Sequence, residues 1–143
     1  MIDALDELRA YESDGLTAYR TLPLTVVLPE TTEQVAAVLK YCHENEIKVV
    51  PRGAGTSLSG GALPLEDGIL LSMTKFKKIL EIDYDNRCAR VQPGVTNLAI
   101  TKAVEEDGFY YAPDPSSQIA CTIGGNVAEN SGGVHSLKYG LTT

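Results

Sequence analysis

The chain has 143 residues, 43% of them apolar and 22% charged, which is the composition of an ordinary globular protein with room for one domain. Its 19 acidic residues against 12 basic ones give a formal net charge of −7, which excludes the basic surface that nucleic-acid binding requires. No apolar run approaches the roughly 18 residues that cross a bilayer, and the acidic N-terminus lacks the basic start of a secretory signal, so we expect a cytoplasmic protein.

The first part of the chain predicts a strand, a helix and a second strand, preceded by a short helix that Asp3 would cap. A buried strand is expected at residues 24–28, and the capping-box spacing of Thr31 and Gln34 predicts a helix after it. The apolar stripe of this helix comprises Val35, Val38, Leu39 and Cys42. A strand at residues 47–50 completes a βαβ unit, and we expect it to pair in parallel with the first strand, because a helical crossover returns the chain in the same direction.

The next part predicts a buried strand at residues 68–72, a solvated turn at residues 75–78 and then a hairpin. Asp85-Asn86 is turn chemistry that joins strands at residues 79–84 and 87–91. We expect the antiparallel hairpin to join the same sheet as the earlier strands.

A further helix follows the hairpin, capped by Thr96 or Asn97 and ending at Gly108. Tyr110-Tyr111 is expected to form a short strand. The whole pattern predicts an α+β fold, with mixed strands and the helices packed to one side.

The cysteines and histidines suggest no special site. Cys42, Cys88 and Cys121 form no C-x-x-C pair, so we expect three reduced thiols that serve as small buried side chains. His43 and His135 are too far apart in the sequence to form a local metal pair, and we assign no metal.

The most informative segment is residues 51–61, Pro-Arg-Gly-Ala-Gly-Thr-Ser-Leu-Ser-Gly-Gly, which follows a predicted strand. It carries four glycines and three hydroxyl side chains. Glycine allows positive φ and close backbone approach, so successive amides can converge on an anion, and the hydroxyls of Thr56, Ser57 and Ser59 can add donors. The segment therefore predicts a cradle for a diphosphate group.

A second stretch, residues 113–133, is also rich in glycine, serine and asparagine. Such a segment alone is more often an ordinary loop than a ligand site, although ordering its glycines is costly in entropy. Two of them in one domain favour a large, extended ligand, so we expect both stretches to contact a single elongated dinucleotide.

At these two stretches the chain resembles the FAD-binding domain of the vanillyl-alcohol oxidase and p-cresol methylhydroxylase (PCMH) superfamily, specifically the branch that holds the flavin-binding chain of glycolate oxidase and the D-lactate dehydrogenases. The resemblance covers residues 19–143 and rests on the ordered set P-R-G-A-G-T-S-L-S-G-G, Q-P-G-V, Y-Y-A-P-D-P-S-S-Q and C-T-I-G-G-N-V-A-E-N-S-G-G. It implies a PCMH-type domain in which a βαβ first subdomain precedes part of a mixed or antiparallel second subdomain. Residues 1–18 would be a helical lead-in.

The resemblance implies FAD as the cofactor, bound noncovalently because the first loop has no histidine to tether it. In the first loop the implied contacts to the diphosphate are Arg52, Gly53, Ala54, Gly55, Thr56, Ser57, Gly60 and Gly61. In the second stretch the implied contacts to the flavin ring, ribityl chain and diphosphate are Pro115, Ser116, Thr122, Gly124, Gly125, Asn126, Ser131 and Gly132.

Several side chains near these contacts have simpler alternatives. The guanidinium of Arg52 would face an anion or pair with a local carboxylate. Asp114 would fix a turn, Gly133 would form a tight backbone corner and His135 would be structural. A Gly55→Val substitution is expected to abolish cofactor binding without a comparable loss of folding.

The resemblance also implies an activity: oxidation of a small 2-hydroxy acid to a 2-oxo acid by hydride transfer to flavin N5. Electrons would leave to an iron–sulfur partner, a cytochrome or a quinone, in a complex that could lie at the inner membrane. No residue of this chain would be catalytic, because the substrate domain of such enzymes follows the FAD-binding domain.

No turn or capping signal precedes the last residue, Thr143, so we expect an N-terminal fragment that binds FAD weakly or undetectably. Its unpaired strand edges favour a homodimer. The alternative function is a truncated, noncatalytic nucleotide-binding or assembly module, and a phosphate-binding domain unrelated to flavin is a more distant one.

Overall fold

The computed structural model describes residues 1–142, which form two compact units that divide after Phe76. The first unit contains a three-stranded sheet of β1 (Thr25–Val27), β2 (Lys48–Arg52) and β3 (Gly68–Ser72). The second contains a two-stranded sheet of β4 (Ile79–Asp83) and β5 (Cys88–Val91). The α+β fold class is confirmed.

The strand order in the first sheet is β1-β3-β2, and both pairings with β3 are parallel. The predicted direct pairing of the first two strands is therefore wrong, although their common direction is right. All residues of β3 are buried, whereas β1 and β2 are only partly so. The continuous apolar run places β3 at the centre, where both of its edges and both of its faces are covered.

The helix between β1 and β2 is α2 (Thr32–Glu44), as the capping box predicts. The Thr31 hydroxyl accepts a hydrogen bond from the amide of Gln34 at 3.3 Å, and the Gln34 side chain accepts one from the amide of Glu30 at 2.7 Å. In the predicted apolar stripe only Cys42 is fully buried, and Leu39 is exposed.

The N-terminal residues belong to the first unit. Ile2 makes an antiparallel bridge to Val26, and Leu8 packs in the core with Val26, Val50 and Leu70. Helix α1 (Leu5–Leu8) continues into a 3₁₀ turn (Arg9–Tyr11). Its N-cap residue is Ala4, which has no side-chain hydrogen bond, so the cap predicted at Asp3 is wrong.

The hairpin of β4 and β5 forms as predicted, because the Asp83 carboxylate accepts hydrogen bonds from the backbone and side-chain amides of Asn86 at 2.9 and 2.7 Å. It nevertheless forms a sheet of its own rather than joining the parallel one. Turn chemistry specifies how two arms pair with each other but carries no information about which sheet edge receives them.

Helix α3 (Asn97–Val104) starts after Thr96 and continues into a 3₁₀ turn that ends at Gly108, whose φ is +78°. This confirms the predicted helix and shows that Thr96, and not Asn97, is its N-cap residue. The strand expected at Tyr110-Tyr111 is wrong, since the amide of Tyr111 donates instead to the Thr101 hydroxyl of α3 at 3.1 Å.

Two burial expectations also fail. Phe76 is buried within the turn that was expected to be solvated, although the lysines around it are exposed. Cys88 is exposed, while Cys42 and Cys121 are buried as predicted, and all three are free thiols. Cys88 begins β5, where the alternation of the strand and not the apolar character of the thiol decides which way it faces.

Candidate functional site

The first glycine-rich loop begins where β2 ends. Pro51 and Arg52 still belong to the strand, so the loop itself runs over residues 53–61. Gly55 and Gly60 have φ values of +72° and +77°, which side chains other than glycine adopt only with strain. The loop thus follows the carboxyl end of a parallel strand, the edge of an α/β sheet at which ligands usually bind.

The backbone amides in the first part of this loop make no hydrogen bonds within the described chain. From Gly53 to Leu58, no backbone N–H donates to an acceptor among residues 1–142. The Thr56 hydroxyl likewise makes no hydrogen bond there, and the Ser57 and Ser59 hydroxyls interact only locally, with their oxygens 3.3 Å apart. Such a run of unused donors can converge on an anion, and this fits the diphosphate of FAD.

The two glycines that end the loop border open space. A Cβ atom added to Gly60 or Gly61 would have no heavy atom within 4 Å. The loop can therefore be approached closely from this side.

The guanidinium of Arg52 is hydrogen-bonded to the N-terminal segment. It donates to the carbonyl oxygens of Tyr11 at 3.0 Å and Ser13 at 2.6 Å, and the residue is only 9% exposed. Burial lowers the pKa of Arg52 from its ordinary value, while the nearby charge of Asp14 opposes that shift. The side chain is occupied by backbone carbonyls, a third possibility that the sequence did not suggest.

Gly55 lies directly against this guanidinium, which a Cβ atom at Gly55 would strike. A valine there must displace Arg52 and also adopt a positive φ. The structure therefore contradicts the expectation that Gly55→Val spares folding.

Part of the second stretch is helical. Gly124, Gly125 and Asn126 lie in the seven-residue helix α4 (Ile123–Glu129). The amide of Gly124 donates to the carbonyl of Pro93 at 2.9 Å, and a Cβ at Gly124 would lie 2.8 Å from Pro93 Cβ. Gly124 thus permits close packing. The amide of Gly125 has no acceptor in the described chain, and a Cβ at Gly125 would lie 3.5 Å from the Thr122 hydroxyl oxygen.

Thr122, which precedes α4, carries a buried and unpaired hydroxyl. The residue is 4% exposed, and its Oγ1 has no hydrogen-bond partner within residues 1–142. A buried polar atom without a partner is costly, which is a reason to expect a ligand group here. A hydroxyl that lacks a partner in the described part of the chain fits a polar group of FAD.

Asn126 faces the interior of its unit. Its Oδ1 accepts from the Asn97 side-chain amide at 2.9 Å, and its own amide donates to the Cys121 sulfur at 3.3 Å. Asn97, which is fully buried, also donates to the carbonyl of Pro113 at 2.7 Å. The sequence did not predict that Asn97 holds the second stretch in place through these hydrogen bonds. The only available signal was a polar residue at an apolar position of a predicted helix.

The ends of the second stretch are held by turns. Pro115 accepts a hydrogen bond from the amide of Gln118 at 2.8 Å, and the adjacent Ser116 is exposed. The amide of Ser131 donates to the carbonyl of Asn126 at 2.9 Å. A Cβ at Gly132 would lie 2.6 Å from the Leu141 side chain, so this glycine is a packing position.

Asp114 joins the two ends of this stretch. Its Oδ2 lies 2.7 Å from Nδ1 of His135, and Gly133 is in close contact with its carbonyl oxygen. A side chain at position 133 would therefore strike the Asp114 backbone. The His135 ring also lies 5.5 Å, centroid to centroid, from that of Tyr110.

The second unit also contains a cleft of about 390 Å³. It is lined by the hairpin, α3, residues 109–113 and two residues of α4, Ile123 and Val127, but none of the predicted cofactor contacts lines it. Across residues 1–142 no cluster of potential ligands could hold a metal ion, and no helix is long and apolar enough to span a membrane.

Residues 23–143 match the family described as "FAD binding domain". The chain belongs to this family. This confirms the predicted family and its cofactor, FAD, and the fold is the PCMH-type fold that the resemblance implied.

Among curated proteins, the chain is 67% identical over 137 residues to the glycolate oxidase subunit GlcD of Escherichia coli K12, covering 96% of this chain and 28% of that protein. It is 46% identical to GlcD of Bacillus subtilis over 92% of the chain and 28% of that protein. It is also 42% identical to a D-lactate dehydrogenase of Anaerostipes hadrus, again over 92% of the chain and 28% of that protein.

A solved structure of alkyldihydroxyacetonephosphate synthase matches with a TM-score of 0.85 and 25% identity over 97% of this chain and 28% of that one. The chain thus spans about 28% of the length of these relatives.

Proposed function

We propose that the chain is the N-terminal FAD-binding portion of a flavin-dependent 2-hydroxy-acid dehydrogenase or oxidase of the glycolate or D-lactate type. The run of unused amides from Gly53 to Leu58 carries the proposal, because it offers the diphosphate a row of donors that no described group satisfies. The names of the GlcD and D-lactate dehydrogenase relatives supply the substrate class. In this proposal residues 19–143 are part of the FAD-binding domain and residues 1–18 are its lead-in.

The first loop would hold the diphosphate through its amides and through the hydroxyls of Thr56 and Ser57, while Gly60 and Gly61 leave room for the approach. In the second stretch the groups best placed for direct contact are the Thr122 hydroxyl, the Gly125 amide and the exposed Ser116. The other proposed contacts there, at Pro115, Gly124, Asn126, Ser131 and Gly132, act mainly by shaping the backbone.

When bound, FAD supplies the hydride acceptor for the oxidation of a hydroxy acid to a 2-oxo acid. The residues of this chain bind and orient the dinucleotide and take no direct part in the chemistry. The substrate, a small 2-hydroxy acid, and the electron acceptor, an iron–sulfur protein or another carrier, belong to the whole enzyme. We place it in the cytoplasm, with peripheral attachment at the inner membrane in a complex as the alternative.

Titration of the ¹⁵N-labelled chain with FAD, followed by ¹H–¹⁵N spectra, tests the proposal residue by residue. We expect binding too weak to survive purification, with progressive shifts of the amides from Gly53 to Leu58 and of Gly125. Shifts in both stretches at the same FAD concentrations support contact with one ligand. Riboflavin, which lacks the diphosphate, is the matched control ligand and should leave the first loop unchanged.

Two results would overturn the proposal. The loop amides could fail to move at any FAD concentration, or riboflavin could move them as FAD does. Nanomolar retention of FAD through purification would contradict the expected weakness.

The second candidate is a noncatalytic nucleotide-binding or assembly module. The genomic reading frame separates the two candidates. A frame that continues beyond residue 143 into a substrate domain supports the enzyme, and a stop codon there supports the module.

A further inference from the structure

Residues 11–16 pack against the loop that follows β2. The Arg52 guanidinium bridges two carbonyl oxygens of this segment, those of Tyr11 and Ser13. Gly15 approaches the loop so closely that an added Cβ would lie 2.7 Å from the carbonyl oxygens of both Thr56 and Ser57. This segment precedes residue 23, where the match to the FAD-binding family begins.

The contact at Gly15 restrains two peptide groups of the loop. In a planar trans peptide the carbonyl oxygen and the amide hydrogen that follows it lie on opposite sides of the chain. Because Gly15 packs against the carbonyl oxygens of Thr56 and Ser57, it restrains the two peptide groups that carry the N–H of Ser57 and the N–H of Leu58. Both belong to the run of amides that donate to no described residue.

The contact at Arg52 determines the path of the chain just before these amides. Its rigid planar fork donates to two carbonyls at once, and the backbone of Gly55 lies directly against it. Asp14 completes the segment: it is 5% exposed, and its Oδ1 accepts from the amide of Leu16 at 2.9 Å, which closes the turn around Gly15.

We propose that Gly15 and Arg52 are positioning residues of the cofactor site and that residues 11–16 form a scaffold for the diphosphate loop. The inference rests on the proposed function, because it holds that these contacts orient the loop amides toward FAD. A loop held in its binding conformation loses less entropy when the ligand binds, so the scaffold increases affinity without touching the ligand.

The test compares Gly15→Ala with Gly68→Ala in the whole chain. Gly68 is also a crowded glycine of the first unit, where a Cβ would lie 3.0 Å from the Lys48 carbonyl, but it starts β3 at the opposite end of the parallel strands from the loop. We expect Gly15→Ala to raise the FAD Kd about tenfold or more, since amide bonds to a charged group are lost. The shifts of Ser57 and Leu58 should shrink as well.

In Gly68→Ala the stability should fall while the Kd of the folded protein stays within about twofold, because no group near the ligand moves. Equal FAD affinity in Gly15→Ala and wild type, with unchanged shifts at Ser57 and Leu58, would overturn the inference.

Arg52→Lys provides a second test that does not depend on the folding of Gly15→Ala. Lysine keeps the positive charge but cannot span two carbonyls as a fork, so a positioning role predicts weakened FAD binding. Wild-type affinity in Arg52→Lys would refute the positioning role of Arg52. If the wild-type loop does not respond to FAD at all, the proposed function fails; if it responds but the variants bind equally well, only the scaffold inference fails.

Discussion

Asn97 offers the sharpest test of how the second stretch is held. It is fully buried, and its side-chain amide donates to Pro113 O at 2.7 Å and to Asn126 Oδ1 at 2.9 Å. An Asn97→Ala substitution leaves both acceptors buried without this donor, at a cost of about 1–3 kcal/mol each. Asn97 Oδ1 itself lacks a partner within residues 1–142, so its removal returns about 1–2 kcal/mol. With the middle of each range, about 4 kcal/mol is lost and about 1.5 kcal/mol is regained, so we expect a net loss of about 2–3 kcal/mol.

The assay is urea unfolding read from the ¹H–¹⁵N signals of residues after Phe76, because a chain of two units need not unfold in one step. Asn86→Ala is the matched control in the same unit, since Asn86 is exposed and bonds only to Asp83. We expect it to cost about 0.5 kcal/mol or less. If Asn97→Ala costs no more than Asn86→Ala, the buried network does not stabilise the unit and the reasoning is refuted.

Three further predictions concern separate positions. Gly55→Ala should lower the free energy of unfolding of the first unit by about 1–3 kcal/mol in urea titrations, because the residue has positive φ and its Cβ would strike Arg52. Partial burial raises the pKa of Asp114, but hydrogen bonds from the ring and amide of His135 more than offset this, so the net pKa is lowered. The ionised Asp114 carboxylate stabilises the folded chain fully at pH values above its unfolded pKa of about 3.9, and this stabilisation is lost as the pH falls through its lower folded pKa. The difference in stability between wild type and Asp114→Asn should therefore vanish in acid. Under native conditions a thiol reagent should modify Cys88.

Each of these has its own control. Gly61→Ala, in open space within the same loop, should leave stability nearly unchanged, and an equal loss in both glycine variants would contradict the argument for Gly55. A stability difference for Asp114→Asn that is independent of pH would contradict the depressed pKa. Cys42 and Cys121 should react only after denaturation, and their rapid native modification would contradict the described burial.

Short-range patterns were predictable from the sequence because their causes are local. The Thr31 cap acts over a single helical turn, Asp83 and Asn86 form the hairpin turn within the hairpin itself, and Gly108 ends its helix with its own φ. The loop after β2 was predictable for the same reason, since positive φ at Gly55 and Gly60 is a property of those residues.

The places where prediction failed involve partners distant in the chain. Periodicity showed that residues 68–72 form a buried strand but not that β3 lies between β1 and β2. The guanidinium of Arg52 could not be assigned, because its partners Tyr11 and Ser13 are brought to it only by the folding of the N-terminal segment.

The amino-acid sequence alone determined the family, the FAD cofactor and the two glycine-rich stretches, because a backbone that must approach a diphosphate requires glycine and small polar residues wherever it does so. Only the tertiary structure decided which donors remain available. Gly124 and Asn126 have their amides engaged inside their unit, whereas the amides from Gly53 to Leu58 are left without described acceptors. A donor bonds to the acceptor that the fold places next to it, and this placement depends on contacts between segments far apart in the chain.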